Sequence, residues 1–163
     1  MKFPLVFVSI LLLSNLCFAQ VDPLDVISNK EFHENALKVE KERNQNQLNL
    51  ESLIQKLNSP EPKVVIDLRG AHSFKSKHLK GSVNVPMEEL TEVRLKEIAP
   101  DKKTPIIIYC DNSFFPTRSI GLTTYGYPTL RKFGYENVFE IEPLWRKSMD
   151  APKELETYWE VNK

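Results

Sequence analysis

The sequence predicts an α/β fold built on a doubly wound, mostly parallel sheet. Three observations lead there. The runs Lys63 to Arg69 and Pro105 to Cys110 have the near-continuous apolar character of strands buried on both faces. Helical and extended patterns follow in the order helix, strand, strand, helix, strand, and such alternation argues for parallel pairing. The second run stops at Cys110, before a polar loop and a helical segment, which is where open α/β sheets carry their chemistry.

Taken in order, the chain starts with Lys2, an apolar stretch from Phe3 to Leu13, and then Asn15-Leu16-Cys17-Phe18-Ala19. A charged start, an apolar core and a small residue at the cut describe a secretory signal peptide over residues 1–19, cleaved after Ala19. A membrane anchor needs about 20 apolar residues, and Ser14-Asn15 interrupts this run. Cys17 invites a lipoprotein reading, but Leu16 is bulkier than the small residue such sites carry, so a soluble periplasmic or secreted form is expected, with no stable membrane span.

Residues 20–47 are polar and charged, with Phe32, Ala36, Leu37 and Val39 too sparse for a core element, and read as a polar helical extension or arm. The domain itself is placed at 48–163, a usual size for one core. Leu48, Leu50, Leu53, Ile54 and Leu57 recur near helical spacing until Asn58-Ser59-Pro60-Glu61-Pro62 stops them. After the Lys63–Arg69 strand, the stretch His78 to Pro86 holds a glycine, Gly81, able to take a tight turn and a short alternating strand ended by proline. A helical pattern runs from Met87 to Ile98. Beyond Cys110, a helix is expected from about Arg118 to Phe133 and kinked at Pro128. Gly134 stops it, Val138 to Ile141 form the last strand, Trp145 reads as core, and a tail helix follows from Pro152 to Trp159.

Composition excludes several functions. With 22 basic and 22 acidic residues and no Lys/Arg run, nothing suggests a nucleic-acid surface. His33, His72 and His78 lie in separate segments without ligand spacing, so neither a metal nor another cofactor is implied. Of two cysteines, signal cleavage removes Cys17 and leaves Cys110 alone in an oxidising compartment. An unpaired thiol there is a candidate reactive group, against the alternative of a small buried hydrophobe.

Val65-Ile66-Asp67-Leu68-Arg69, the His-x-x-Gly-x-x-Asn-x-Pro stretch from His78 to Pro86, the strand into Cys110, Phe133-Gly134-Tyr135-Glu136-Asn137-Val138 and Trp145 together resemble the single-domain rhodaneses, thiosulfate sulfurtransferases and related persulfide carriers. The resemblance covers about residues 48–149 and implies a three-layer α/β/α domain with a mainly parallel sheet of about five strands. It implies that Cys110 carries a persulfide and passes its outer sulfur from a thiosulfate-like donor to a thiol or other nucleophilic acceptor. The sequence departs from the family pattern in two places. Seven residues separate Cys110 from Arg118, where the family usually has four including a glycine, and Glu142-Pro143 replaces a Gly-Gly before the tryptophan.

Sulfur transfer needs a thiolate and a stabilised anionic product, supplied by loop N–H groups and a nearby cation. Arg118 is the candidate cation, and Ser113 and Thr117 are candidate hydroxyl donors to a bound anion. Asp111 opposes a thiolate unless it points to solvent or pairs with Arg118. Phe114 and Phe115 can line the pocket or pack beneath the loop. Asp67 and Arg69, on one side of a strand end, read as structural support that bond each other or loop backbone, and His78 as a turn anchor. Two other functions stay open. One is a phosphatase or arsenate reductase of the same fold, which the long loop permits but Tyr109 and Pro116 disfavour; the other is a non-catalytic binding or redox-sensing module with an envelope protein partner.

Overall fold

The computed structural model describes residues 27–147 and 150–161. The expected signal peptide, its cleavage point and Cys17 lie outside these residues. The elements are α1 (Asn29–Gln45), β1 (Gln47–Leu48), α2 (Leu50–Asn58), β2 (Val64–Asp67), α3 (Ala71–Ser76), β3 (Lys77–Leu79), β4 (Val83–Asn84), α4 (Glu92–Ile98), β5 (Ile106–Tyr109), α5 (Thr123–Lys132), β6 (Val138–Ile141) and β7 (Trp159–Val161), with short 3₁₀ turns between some of them.

Five strands form one parallel sheet in the order β1-β6-β5-β2-β4, and β3 pairs antiparallel with β7 in a separate ribbon. The α/β class and the mainly parallel five-stranded sheet expected from the sequence are therefore present. All four residues of central β5 are buried, and they alternate between two cores as a two-sided strand must. Ile106 and Ile108 pack with Leu95, Tyr127 and Leu130 under α1, α4 and α5. Ile107 and Tyr109 pack with Leu53, Phe114, Leu155 and Trp159 under α2 and the chain's last segment. Helix α5 lies so close to β2 that a Cβ on Gly126 would fall 2.6 Å from Leu68 Cδ1.

Three expectations are corrected. The 20–47 segment, read as a polar helical extension or arm, is helical from Asn29 but not merely solvated: it lies on α5 and buries Val39, while Gln47 and Leu48 belong to the sheet and not to a helix. The α1–α5 contact is largely polar: Asn35 donates to the Pro128 carbonyl, Arg131 pairs with Glu42, and the Tyr127 hydroxyl donates to Glu42. A hydrophobic pattern could not announce it.

Helix α5 begins at Thr123, not Arg118, because Asn112 ties residues 117 and 118 into the preceding loop. Pro128 thus falls in the second turn. Gly134, at φ +85°, ends this helix with Gly134 N–H donating to Arg131 O and Tyr135 N–H to Leu130 O, the paired closure that a left-handed residue permits. The tail is a 3₁₀ turn, Lys153–Tyr158, followed by β7, not a helix to Trp159. Trp159 stands opposite Leu79 and its ring meets Phe114 edge-on at 4.7 Å, burial that a strand provides there.

Candidate functional site

Strand β5 delivers Cys110 to the C-terminal edge of the sheet, flanked by β2 and β6. Cys110 is a free thiol and 1% exposed. Its backbone opens a 3₁₀ turn, Asp111–Ser113, and the chain then loops to α5. Gly121, just before that helix, closes over the sulfur: a Cβ there would lie 3.6 Å from Cys110 Sγ and 3.3 Å from Asn112 Cβ. The one glycine in this stretch therefore stands where the loop passes close to the thiol.

Ser113 is buried and fully engaged. Cys110 N–H donates to Ser113 Oγ at 3.3 Å, and that hydroxyl donates to Ile141 O, also at 3.3 Å. The residue expected to donate to an anion instead fixes the cysteine backbone to β6. Thr117 is likewise spent within the loop, its hydroxyl donating to Asn112 Oδ1 at 2.9 Å. Asn112 is the organiser that sequence reasoning missed. It brackets Thr117 and donates to Arg118 O at 2.6 Å, while its own carbonyl accepts from Trp145 Nε1 at 2.8 Å. Trp145 is half-buried and holds the loop, where a core role was expected.

Asp67 and Arg69 do act as support. Asp67 is fully buried, and Arg69 donates to it through Nε at 2.9 Å and Nη2 at 2.6 Å, a two-pronged pair. Nη2 also reaches Lys77 O, and Nη1 reaches Asp111 Oδ1 at 3.2 Å. Burial works against the Arg69 charge, but Asp67 and Asp111 more than offset it and raise its pKa. Asp111 thus finds its cation in Arg69, not Arg118, and the carboxylate beside the thiol is balanced from the segment just after β2.

Asn84 donates to the carbonyls of Asp67 and Arg69, which ties the β4 end to the same corner. His78 stacks on Phe74 at 3.9 Å with Nδ1 against Phe74 O, anchoring its turn. Tyr109 passes beneath that turn, its hydroxyl accepting from Leu79 N–H at 3.1 Å. Burial, then the Asp67 charge, pushes its phenol well above the ordinary range. Phe114 packs under the loop against Tyr109 and Trp159, while Phe115 is exposed.

A cavity of about 560 Å³ opens next to the loop and is bounded by Ser113, Arg118 and Gly121 on one side and by Arg43, Glu140 and Trp145 on the other. Glu140 is 2% exposed; Arg43 Nε donates to it at 3.0 Å and Gln47 Nε2 at 2.7 Å, so this buried carboxylate is balanced by a residue of α1. Arg118 is exposed and shares the cavity with Ser113, but Thr117 does not border it. Among the described residues no cluster of three or more His, Cys, Asp or Glu could hold a metal, and no helix is long and apolar enough to cross a membrane.

A parallel α/β sheet with a buried cysteine at the end of its middle strand, backed by an Asp-x-Arg pair, defines the class of sheet-edge thiol domains. More narrowly, the family profile described as a rhodanese-like domain matches residues 49–143, and the chain belongs to that family. The uncharacterised protein YqhL of Bacillus subtilis is 31% identical over 83 residues, 51% of this chain and 58% of that protein. The thiosulfate sulfurtransferase PspE of Escherichia coli is 33% identical over 46 residues, 28% of this chain and 43% of that one. The matches thus span about half the length of these curated relatives. Among solved structures, a thiosulfate sulfurtransferase of Pseudomonas aeruginosa superposes with a TM-score of 0.54 at 21% identity, covering 81% of this chain and 23% of that one. A rhodanese-like domain of an Anabaena protein gives 0.52 at 20% identity, covering 71% and 79%. These likenesses show the fold.

Proposed function

We propose that this chain is an exported sulfurtransferase or persulfide carrier, in which Cys110 takes sulfane sulfur from a thiosulfate-like donor and hands it to a thiol or similar nucleophile. The observation that carries the reading is the free Cys110 at the end of β5, in a rhodanese-like domain. In the first step Cys110 Sγ, as thiolate, attacks the outer sulfur of thiosulfate. The donor's S–S bond breaks, and sulfite departs with the bonding electron pair. An acceptor thiolate then attacks the outer sulfur of the persulfide, and Cys110 leaves as thiolate again. Arg118, on the exposed loop, supplies positive charge for the anionic donor and product. Ser113 serves by holding the cysteine backbone, and Asp67 and Arg69 hold the turn beneath it. Export follows from residues 1–19, and an envelope protein is the partner that location would offer.

The burial of Cys110 favours one second reading, a binding or redox-sensing module whose thiol is not turned over. Intact mass after incubation with thiosulfate separates the two. A gain of one sulfur atom that Cys110→Ser lacks supports transfer. Absence of any gain, with or without phosphate-ester turnover, overturns it.

A further inference from the structure

The cavity beside the loop holds more positive charge than the scheme above uses. Arg43, Arg118 and Arg146 all border it. Glu140 takes up the charge of Arg43, whereas neither Arg118 nor Arg146 closes an ion pair within 4.0 Å of a carboxylate among the described residues. Two guanidinium groups on one space repel each other, and an anion between them relieves that repulsion. Trp145, Ile120 and Pro143 give the cavity an apolar wall, beside polar residues such as Gln47, Asn112 and Thr123. Its volume, about 560 Å³, lies within the range of organic-ligand pockets, roughly 300–1,000 Å³, and far exceeds what a small inorganic anion fills. Charge calls for an acid and the apolar wall calls for carbon.

We infer that Arg146, together with Arg118, makes this cavity the acceptor subsite and selects a small organic thiol that carries a carboxylate. The carboxylate lies at the two arginines, the carbon chain against Trp145, and the thiol toward the Cys110 loop. Arg146 sits in the turn Leu144–Lys147, just past the segment that matches the family, and Trp145 beside it already holds that loop through Asn112 O. The inference rests on the transfer reading, and it adds which acceptors are preferred and which residue chooses them.

The test uses the whole chain with its Cys110 persulfide formed from thiosulfate and excess donor removed. Discharge is followed by intact mass with three thiols of similar length: mercaptopropionate, mercaptoethanol and cysteamine. Comparing variant with wild type for each thiol cancels its intrinsic nucleophilicity. Arg146→Gln is expected to slow mercaptopropionate about fivefold more than mercaptoethanol, the size of a single partly screened charge contact. Arg146→Lys restores most of the difference, and added salt shrinks it in wild type.

Equal slowing of all three thiols, or none, overturns the inference. If no persulfide forms, the transfer reading fails on its own. The subsite is then judged by calorimetric titration of S-methyl mercaptopropionate, which cannot accept sulfur. Binding weakened by Arg146→Gln keeps the acidic-ligand site, whereas no binding to either form overturns it.

Discussion

Replacing Arg69 with methionine removes the only cation among the described residues in contact with Asp67, a carboxylate with no exposed surface. The pair shares bonds at 2.9 and 2.6 Å, and without them Asp67 is left with neutral donors such as the Arg69 backbone N–H at 2.9 Å. Breaking a buried pair from one side costs about 3–5 kcal/mol, because the remaining charge stays desolvated. Against a total stability of about 5–15 kcal/mol, that is a large share. Asp111 gives the internal comparison. It is a quarter exposed and makes one contact with Arg69, at 3.2 Å, so Asp111→Asn should cost about 0.5–1 kcal/mol. That change releases the first residue of the loop, and Cys110 should then react faster with a thiol reagent while the fold persists. Urea unfolding measures the costs, and the double change Asp67→Asn with Arg69→Met should recover part of the loss. An Arg69→Met cost below about 1 kcal/mol at unchanged urea slope would refute the assignment of this pair as the buried anchor.

Two other outcomes follow from the same ledger of buried groups. Arg43→Met should cost about 2 kcal/mol, less than a fully buried pair because Arg43 is 24% exposed, and Glu140→Gln in the same chain should restore part of it; strictly additive single costs in urea would contradict the pairing. Burial raises the phenols of Tyr109, Tyr127 and Tyr135, to about 12 for Tyr127 from an ordinary 10.0. A proton held more tightly in the folded state stabilises fully below the unfolded pKa, and that stability is lost as pH rises through the folded one. Urea midpoints should therefore fall above about pH 10, by up to about 1.4 kcal/mol per pH unit for each such phenol, and Tyr127→Phe should flatten the decline; an unchanged slope counts against it.

Much of the sheet could be read from sequence because its central strands are buried on both faces. The runs of β2 and β5 carry that burial as unbroken hydrophobicity, and Asp67-x-Arg69 announces its own pairing by spacing. What escaped depends on contacts between distant residues. Asp111 pairs with Arg69, 42 positions away, although Arg118 is nearer in sequence. Helix α1 docks through Asn35, Glu42 and Arg43, polar residues that look solvated until their partners on α5 and β6 are in place. Ser113 and Thr117 have the chemistry of anion donors, but loop closure gives their hydroxyls other work. Trp145 and Asn112 could have been suspected only from the unusual loop length, which needs some device to hold it.

The β3–β7 ribbon bears on the order in which the molecule is made. Its two strands join residues 77–79 to residues 159–161, and Trp159 from the later strand completes the core around Tyr109 and Phe114. During synthesis the α5 side of the sheet has all its strands and helices before that closing strand leaves the ribosome, whereas the opposite side waits for it. A nascent chain halted short of Trp159 would present Phe114 and Tyr109 uncovered, the apolar surface that chaperones and proteases recognise. Quality control of this domain thus turns on its last few described residues, far in sequence from the aromatic side chains they cover.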